Sequence, residues 1–192
     1  PPLETLFPYT TLFRSGVRLE AVEIDSRAAA RARDNFAANG LEAGVVCGDL
    51  RDASCLPPSN SCSLVVCNPP YFAANSGKQA SDARRAMARS EGGCTFAEVC
   101  AAAARSLKQG GRFAFVHRAE RLAEVFAVLA GKRLEPKRLR LVQHSAGSAP
   151  GLVLCEAVRF GAPGLTVEPA LLLHTPDGAD SAEARRIYHL ED

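Results

Sequence analysis

Several features that would place a chain in a common functional class are missing from this sequence. No apolar run approaches the ~18 residues needed to span a bilayer. No pair among the seven cysteines has C-x-x-C spacing, and the four histidines are scattered. The net charge of +2 is too small to indicate nucleic-acid binding by itself. We therefore expect no membrane span and no metal site, and any RNA contact must be local.

What is present is typical of one globular domain. The 192 residues are 47% apolar, enough to bury a core, and we favour a monomer. The cysteines mostly sit in apolar runs and are interpreted as small buried hydrophobes in a reducing cytoplasm. Residues 1–15 show neither a helical stripe nor alternation, and they lack the features of a signal peptide. We interpret them as a non-native leader, which leaves residues 16–192 as the domain.

From residue 17 onward, strand-like and helix-like segments alternate. Predicted strands cover residues 17–24, 43–47, 64–67, 113–117, 134–143 and 152–160, with an edge segment at 165–174. Predicted helices cover residues 26–38 (capped by Ser26), 95–108 (stopped by Gly110-Gly111) and 120–130, with a terminal turn at 182–188. The alternation predicts an α/β fold with a mainly parallel sheet covered on both faces, closed by an antiparallel pair at 134–143 and 152–160. Ligands of such sheets lie beyond the carboxyl ends of the strands.

The motif Asn68-Pro69-Pro70-Tyr71 follows the apolar run at 63–67. The first proline forces Asn68 out of helical geometry, and neither proline can donate to a strand ladder. A rigid corner at a strand end remains, where the Asn68 oxygen and the Pro69 carbonyl can accept the two hydrogens of a planar amine while Tyr71 stacks on its ring. The alternative is an ordinary proline-rich turn in which Tyr71 is packing.

Asn-Pro-Pro-Tyr after a strand resembles the fourth motif of S-adenosylmethionine-dependent amino-methyltransferases. Residues 112–122 (RFAFVHRAERL) and 134–142 (LEPKRLRLV) are similar to later segments of the branch that methylates adenine N6 in valine tRNA. The resemblance extends from about residue 17 to the C-terminus. It implies a Rossmann-like class I methyltransferase fold with three αβα layers, S-adenosyl-L-methionine as cofactor, and catalytic roles for Asn68, Pro69, Pro70 and Tyr71.

Acidic residues at strand ends fit the donors of that cofactor. A carboxylate at Glu23 can accept both hydrogen bonds of a ribose diol, whereas Asp25 is expected at the amino end of the next helix. The resemblance assigns the adenine amino group to Asp49. The alternatives are a solvated acid at Glu23 and an Asx-type turn at Asp49. The implied cofactor-binding residues are Glu23, Ile24, Asp49, Leu50 and Asn68.

The family's glycine-rich loop, between its first strand and first helix, has no match in residues 1–16. We therefore predict a domain that lacks this strand and loop, with apolar edges exposed on the neighbouring strands. Residues 10–13 could occupy the slot of the strand but could not rebuild the loop. Whether the chain turns over is left open.

Two local concentrations of positive charge indicate a polyanion as partner. Lys78, Arg84, Arg85 and Arg89 against Asp82 give four minus one, or +3, beside the motif. Five basic residues against Glu135 in residues 132–140 give five minus one, or +4. Such clusters are candidates for phosphate contacts, and solvated surface is the alternative. The predicted substrate-binding residues are Tyr71, Phe72, Lys78, Arg84, Arg85 and Arg89.

These observations predict a methyltransferase acting on an exocyclic amino nitrogen, with adenine N6 in tRNA as the favoured acceptor. The alternatives are a glutamine-N5 methyltransferase of proteins, which shares Asn-Pro-Pro-Tyr, and a noncatalytic RNA-binding remnant.

Overall fold

The computed structural model describes residues 18–69, 93–188 and 190. Within these ranges seven strands form two sheets. The strands are β1 (Leu19–Glu23), β2 (Ala43–Cys47), β3 (Cys62–Cys67), β4 (Leu107–Arg118), β5 (Leu134–Gln143), β6 (Leu152–Arg159) and β7 (Thr166–Leu172). The helices are α1 (Ser26–Ala38), α2 (Phe96–Ser106), α3 (Leu122–Gly131) and α4 (Ala182–Ile187), with 3-10 turns at Ala53–Cys55 and Ala119–Arg121.

The first sheet is the parallel pair β1–β2, in register from Leu19 opposite Ala43 to Glu23 opposite Cys47. Helix α1 connects these strands and covers the predicted residues, but the predicted cap at Ser26 is wrong because Ser26 is already the first helical residue. Its N-cap is Asp25, whose side chain accepts hydrogen bonds from the backbone amides of Arg27 and Ala28 at 2.9 and 3.0 Å. The predicted place of Asp25 at the amino end of the helix is therefore confirmed.

The second sheet has the order β3-β4-β6-β5-β7. Strand β4 is parallel to β3 and antiparallel to β6, and β5 and β6 form the predicted antiparallel pair. Strand β7, the predicted edge segment, runs parallel to β5. Because β6 runs against β3 and β4, its carboxyl end lies at the edge where the parallel strands begin.

The hydrophobic core lies between the second sheet and helices α2 and α3. The rings of Phe113 and Phe115 stack 4.9 Å apart in β4, and Phe96 of α2 packs 5.0 Å from Phe115. Helix α2 starts with a capping box, in which the Thr95 and Glu98 side chains each bind the other's backbone amide. This box fixes the direction in which α2 leaves the preceding segment.

The prediction that a helix runs to Lys108 and stops at Gly110-Gly111 is wrong. Helix α2 ends at Ser106, and β4 begins at the next residue. The glycines instead serve a bulge, with a register shift between Cys62 and Leu64 on β3. A Cβ at Gly111 would lie 2.9 Å from the Lys108 carbonyl oxygen, so a close approach of backbones requires glycine there.

The prediction of buried cysteines holds for only two of the seven. Cys100 and Cys155 are buried, Cys47 is exposed, and the other four are intermediate; all are free thiols. Cys47 is exposed because it lies in β2, which has no buried residue, whereas Cys62, Cys67 and Cys94 are partly buried against the core. None of the described helices has the length and apolarity needed to cross a bilayer.

Strands β1 and β3 each pair on one side only among the described residues. Exposed apolar side chains lie in or beside this part of the fold: Ile24 at 54%, Val46 at 42% and Val66 at 42% exposure. These facts are compatible with a strand position between β1 and β3. The predicted loss of a native strand and loop stays a prediction.

Candidate active site

Glu23 ends β1 with a half-buried carboxylate in a fixed orientation. Its Oε1 accepts a hydrogen bond from the Asp25 backbone amide at 2.9 Å. Its backbone carbonyl accepts from the Gly48 amide at 2.9 Å, which joins the ends of β1 and β2. Among the described residues Oε2 of Glu23 has no hydrogen-bond partner, so it can accept one from a ligand hydroxyl.

Asp49 follows β2 and forms an ion pair with Arg51. The carboxylate accepts from the Arg51 backbone amide at 2.9 Å and from Nε at 2.9 and 3.0 Å, and Nη2 lies 2.5 Å from Oδ2. These hydrogen bonds hold the pKa of Asp49 below its ordinary value. The bond to the amide two residues on is the Asx-type turn weighed as the alternative. A ligand amino group at Asp49 must therefore share or displace Arg51.

The end of β3 presents an exposed Asn68 followed by a buried Pro69. The Asn68 side chain makes no hydrogen bond with the described residues, and its amide is accessible to a ligand. Beneath the corner, Cys67 packs against the core, and burial raises the pKa of its thiol to about 12. Cys67 is therefore protonated at neutral pH and acts as packing.

The start of α2 approaches the segment that follows β2. Arg51 Nη1 lies 4.0 Å from Glu98 Oε1 in the first turn of α2. Cys94, two residues before α2, has its pKa raised to about 11, first by burial and then by the Glu98 charge. Cys94 and Cys67, at the end of β3, both pack against the hydrophobic core. The segment after β2 thus reaches the start of α2 through Arg51.

Arg51, Cys94 and Glu98 contact this region but were not predicted as site residues. The capping-box pattern at Thr95 and Glu98 was a usable signal for the start of α2. Nothing local placed that helix start against Arg51, because the contact joins residues 47 positions apart in a tertiary arrangement.

The remaining predicted site residues divide into two groups. Ile24 is exposed and adjoins Glu23, and Leu50 packs against the hydrophobic core beside Asp49. The other predicted residues lie outside the described ranges, namely Pro70, Tyr71, Phe72, Lys78, Arg84, Arg85 and Arg89.

The basic cluster predicted at residues 132–140 is divided by its contacts. Arg138 Nη2 lies 2.7 Å from Glu168 Oε1, and Arg140 donates to both Glu183 oxygens at 2.6 and 2.7 Å. Lys137 Nζ donates to a backbone carbonyl at 3.1 Å. Because the fold brings Glu168 and Glu183 to this strand, Arg138 and Arg140 form structural ion pairs with these two carboxylates.

No group of three or more potential metal ligands occurs in the described part of the chain.

The order of strands and helices, with ligand-accessible polar groups at the strand ends, defines a Rossmann-like class I methyltransferase fold. Solved structures share it. A predicted O-methyltransferase from Agrobacterium tumefaciens has a TM-score of 0.69 at 18% identity, covering 88% of this chain and 76% of that one. A methyltransferase from Methanosarcina mazei has a TM-score of 0.54 at 13% identity, covering 85% and 87%.

The chain belongs to the methyltransferase small domain family, whose pattern matches residues 10–131. Two curated relatives are tRNA1(Val) (adenine(37)-N6)-methyltransferases. The Aeromonas hydrophila protein is 32% identical over 166 residues, 85% of this chain and 67% of the relative. The Aeromonas salmonicida protein is 30% identical over 180 residues, 92% of this chain and 72% of the relative. The resemblance identified in the sequence is confirmed.

Proposed function

We propose that this chain transfers a methyl group from S-adenosyl-L-methionine to the exocyclic N6 amino group of an adenine in tRNA. The observation that carries the proposal is the exposed Asn68 amide directly after β3, on a strand end whose Cys67 packs against the core. Two relatives named as tRNA adenine-N6 methyltransferases support the choice of acceptor.

The described residues fit the cofactor at two points. Oε2 of Glu23, which has no hydrogen-bond partner in the described part of the chain, suits a ribose hydroxyl, because Oε1 is already fixed by the Asp25 amide at 2.9 Å. Asp49 suits an amino group, with Arg51 holding it ionised. Ile24 and Leu50 flank these acids. When bound, S-adenosyl-L-methionine supplies an electrophilic methyl group on a sulfonium.

Asn68 and Pro69 would orient the acceptor. The adenine amine is a poor nucleophile because its lone pair is delocalised into the ring. Hydrogen bonds from its two N–H groups to the Asn68 oxygen and the Pro69 carbonyl favour a more tetrahedral nitrogen. Positioning of this kind supplies roughly 7–11 kcal/mol in favourable cases. No general base is needed before transfer, since the proton becomes acidic only as the new bond forms.

The substitution Asn68→Ala tests this role. Methylation of a tRNA transcript should be lost, while calorimetry should still detect binding of S-adenosylmethionine. Asn35→Ala on the exposed surface of α1 is the matched control. Turnover by Asn68→Ala at the parental rate would refute the role of the amide.

The cofactor assignment has its own test. Glu23→Ala should weaken S-adenosylmethionine binding by about tenfold to hundredfold, since a hydrogen bond to a charged group contributes ~1.5–3 kcal/mol. Mass spectrometry of digested tRNA should find N6-methyladenosine. If the protein methylates a protein glutamine and not tRNA, the proposed acceptor is wrong but the cofactor site stands. If the folded protein does not bind S-adenosylmethionine, the proposed methyltransferase activity is wrong.

A further inference from the structure

An aromatic side chain between two arginines lies at the edge of the sheet opposite Asn68. Phe160 follows β6, and Arg133 precedes β5, where Leu134 pairs with Arg159. Val158 pairs with Arg112 near the start of β4, whereas Cys67 pairs with Phe115 further along. Phe160 lies two residues beyond Val158 and Asn68 one residue beyond Cys67, so their positions along β4 differ by about six residues, or about 20 Å at ~3.3 Å per residue. The two edges are therefore well separated.

Phe160 is held outward by its neighbours. It is 46% exposed, although it is a large apolar side chain. The guanidinium carbon of Arg159 lies 4.1 Å from the ring centroid and that of Arg133 lies 5.6 Å from it. Both distances lie within the range of cation–π attraction. The Phe160 backbone amide donates to the Arg133 carbonyl at 2.9 Å, which ties the two segments together.

The backbone at this point is unusual. Arg133 and Phe160 both have a φ of 55°, a left-handed conformation that bulky side chains rarely adopt. Two such residues joined by one hydrogen bond fix where the ring and the guanidinium project. Residues held in this conformation are concentrated at binding and active sites.

The positive charge at this edge has no carboxylate partner among the described residues, since neither Arg133 nor Arg159 forms an ion pair there. Arg159 Nη1 donates to the Lys132 carbonyl at 2.6 Å, and the buried Nε of Arg159 has no hydrogen-bond partner. Burial, and then the charge of Arg133, lower the pKa of Arg159. This contrasts with Arg138 and Arg140, which both have carboxylate partners. An anion would relieve the repulsion between the two guanidinium groups.

A shallow cavity of about 380 Å³ adjoins the pair. Its lining residues are Ala130, Arg133, Leu134, Glu135, Phe160 and Gly161. Glu135 is the only acid in this lining and is ion-paired with neither arginine. Lys132, Arg133 and Arg159 are positively charged and Glu135 is negatively charged, so the local charge is three minus one, or +2.

We propose that Phe160, Arg133 and Arg159 form a second RNA-contact surface, which stacks an unpaired base and binds its adjoining phosphate. The inference rests on the proposed tRNA substrate, since it deepens how that substrate is held. An exposed ring with arginines suits a base with its phosphate, because stacking and charge are both offered. A free nucleotide at the Asn68 corner cannot reach a surface about 20 Å away, whereas a polynucleotide can.

The test measures binding of labelled tRNA to the full chain, without cofactor, over a series of salt concentrations. Asn is the replacement at both positions because it tolerates positive φ. Phe160→Asn should weaken binding by about fivefold to hundredfold without changing the salt slope, as expected for a lost stack. Arg133→Asn should lower the slope of log affinity against log salt by ~0.7–0.9, as expected for one lost phosphate contact.

Arg31→Asn, on exposed α1, removes the same charge elsewhere and should change neither quantity. Phe160→Tyr keeps a ring and should retain affinity, with thermal melts confirming that all variants fold. Parental binding by both Asn variants, or losses matched by Arg31→Asn, would overturn the inference. So would equal displacement of tRNA by inorganic phosphate and by adenosine monophosphate, since the ring would then play no part. Failure of methyl transfer would leave this result intact, because binding is read without cofactor.

Discussion

The β1–α1–β2 region and the five-stranded sheet carry different tasks and are stabilised very differently. In the first region Ala29 is the only buried side chain between residues 18 and 67, and both strands have intermediate or exposed residues throughout. In the second, Phe113, Phe115, Val153, Cys155 and Ala157 are all fully buried. Yet the first region carries Glu23 and Asp49. The ligand-facing acids are thus placed on the part of the described fold with the least packing of its own.

This contrast has a physical consequence. Buried apolar area provides most of the stabilisation of a fold, so the five-stranded sheet should carry the global stability. Amides of β1 and β2 should exchange with solvent by local opening at lower free energy than those of β4 and β6. Binding of a ligand to Glu23 and Asp49 should then protect the first region selectively.

The largest effect should come from emptying the core of the second sheet. Phe113→Ala removes a fully buried ring that stacks on Phe115, and it should cost about 3–5 kcal/mol of unfolding free energy. Val46→Ala in β2, where the side chain is 42% exposed, should cost less than about 1 kcal/mol. Urea unfolding measures both. Equal losses of unfolding free energy in the two variants would contradict the proposed difference in packing between the two regions.

A smaller effect should come from the close approach of Gly48 to Cys55. A Cβ at Gly48 would clash with Cys55 Sγ, so Gly48→Ala should cost about 1–3 kcal/mol and weaken cofactor binding next to Asp49. Gly44→Ala, whose nearest contact is 3.8 Å, is the matched control. Adding Cys55→Ala should restore part of the loss. If Gly48→Ala behaves like Gly44→Ala, the end of β2 is not closely packed.

The helix caps allow a matched comparison at about 1 kcal/mol each. Thr95→Ala removes the capping box of α2, which packs on the core, and should lower global stability. Asp25→Ala removes the cap of α1 and should mainly raise local hydrogen exchange in α1 and β1. A global loss from Asp25→Ala as large as that from Thr95→Ala would show that the two regions unfold as one unit.

The smallest effect should be the pH dependence of the stability that the Arg140–Glu183 ion pair gives to the second sheet. Hydrogen bonds from Arg140 lower the pKa of Glu183 from its ordinary value near 4.5. The stabilisation is therefore present above that value and is lost as pH falls through the lowered folded value. Glu183→Gln should cost less than about 1 kcal/mol at pH 7 and less still at pH 2. Unfolding at the two pH values checks this, and an undiminished loss at pH 2 would contradict it.

The sequence predicted most elements because their signals are local. The residues covered by α1, β2 and β5 were correct, since Asn39-Gly40 and alternation lie within a few residues of these boundaries, although the cap of α1 is Asp25 and not Ser26. The end of α2 was wrong because Gly110-Gly111 is a helix-stop pattern as well as a bulge pattern. Only the approach of Cys62 to β4 distinguishes the two.

The candidate site was predictable in part for the same reason. Glu23, Asp49 and Asn68 each follow a strand, and the ends of parallel strands gather at one edge. The pairing of Asp49 with Arg51 had a local signal in the Asp-Leu-Arg spacing, but the approach of Arg51 to Glu98 had none.

The sequence by itself determined the alternation of strands and helices, their caps and the residues at strand ends, because each depends on neighbours a few positions away. Only the tertiary structure decided which arginines are ion-paired and which are left beside Phe160. Arg138 and Arg140 meet Glu168 and Glu183, 30 and 43 residues further along the chain. Arg133 meets Phe160 through the β5–β6 register. Strand register joins residues that are distant in sequence, and the sequence of one strand does not specify its partner's alignment.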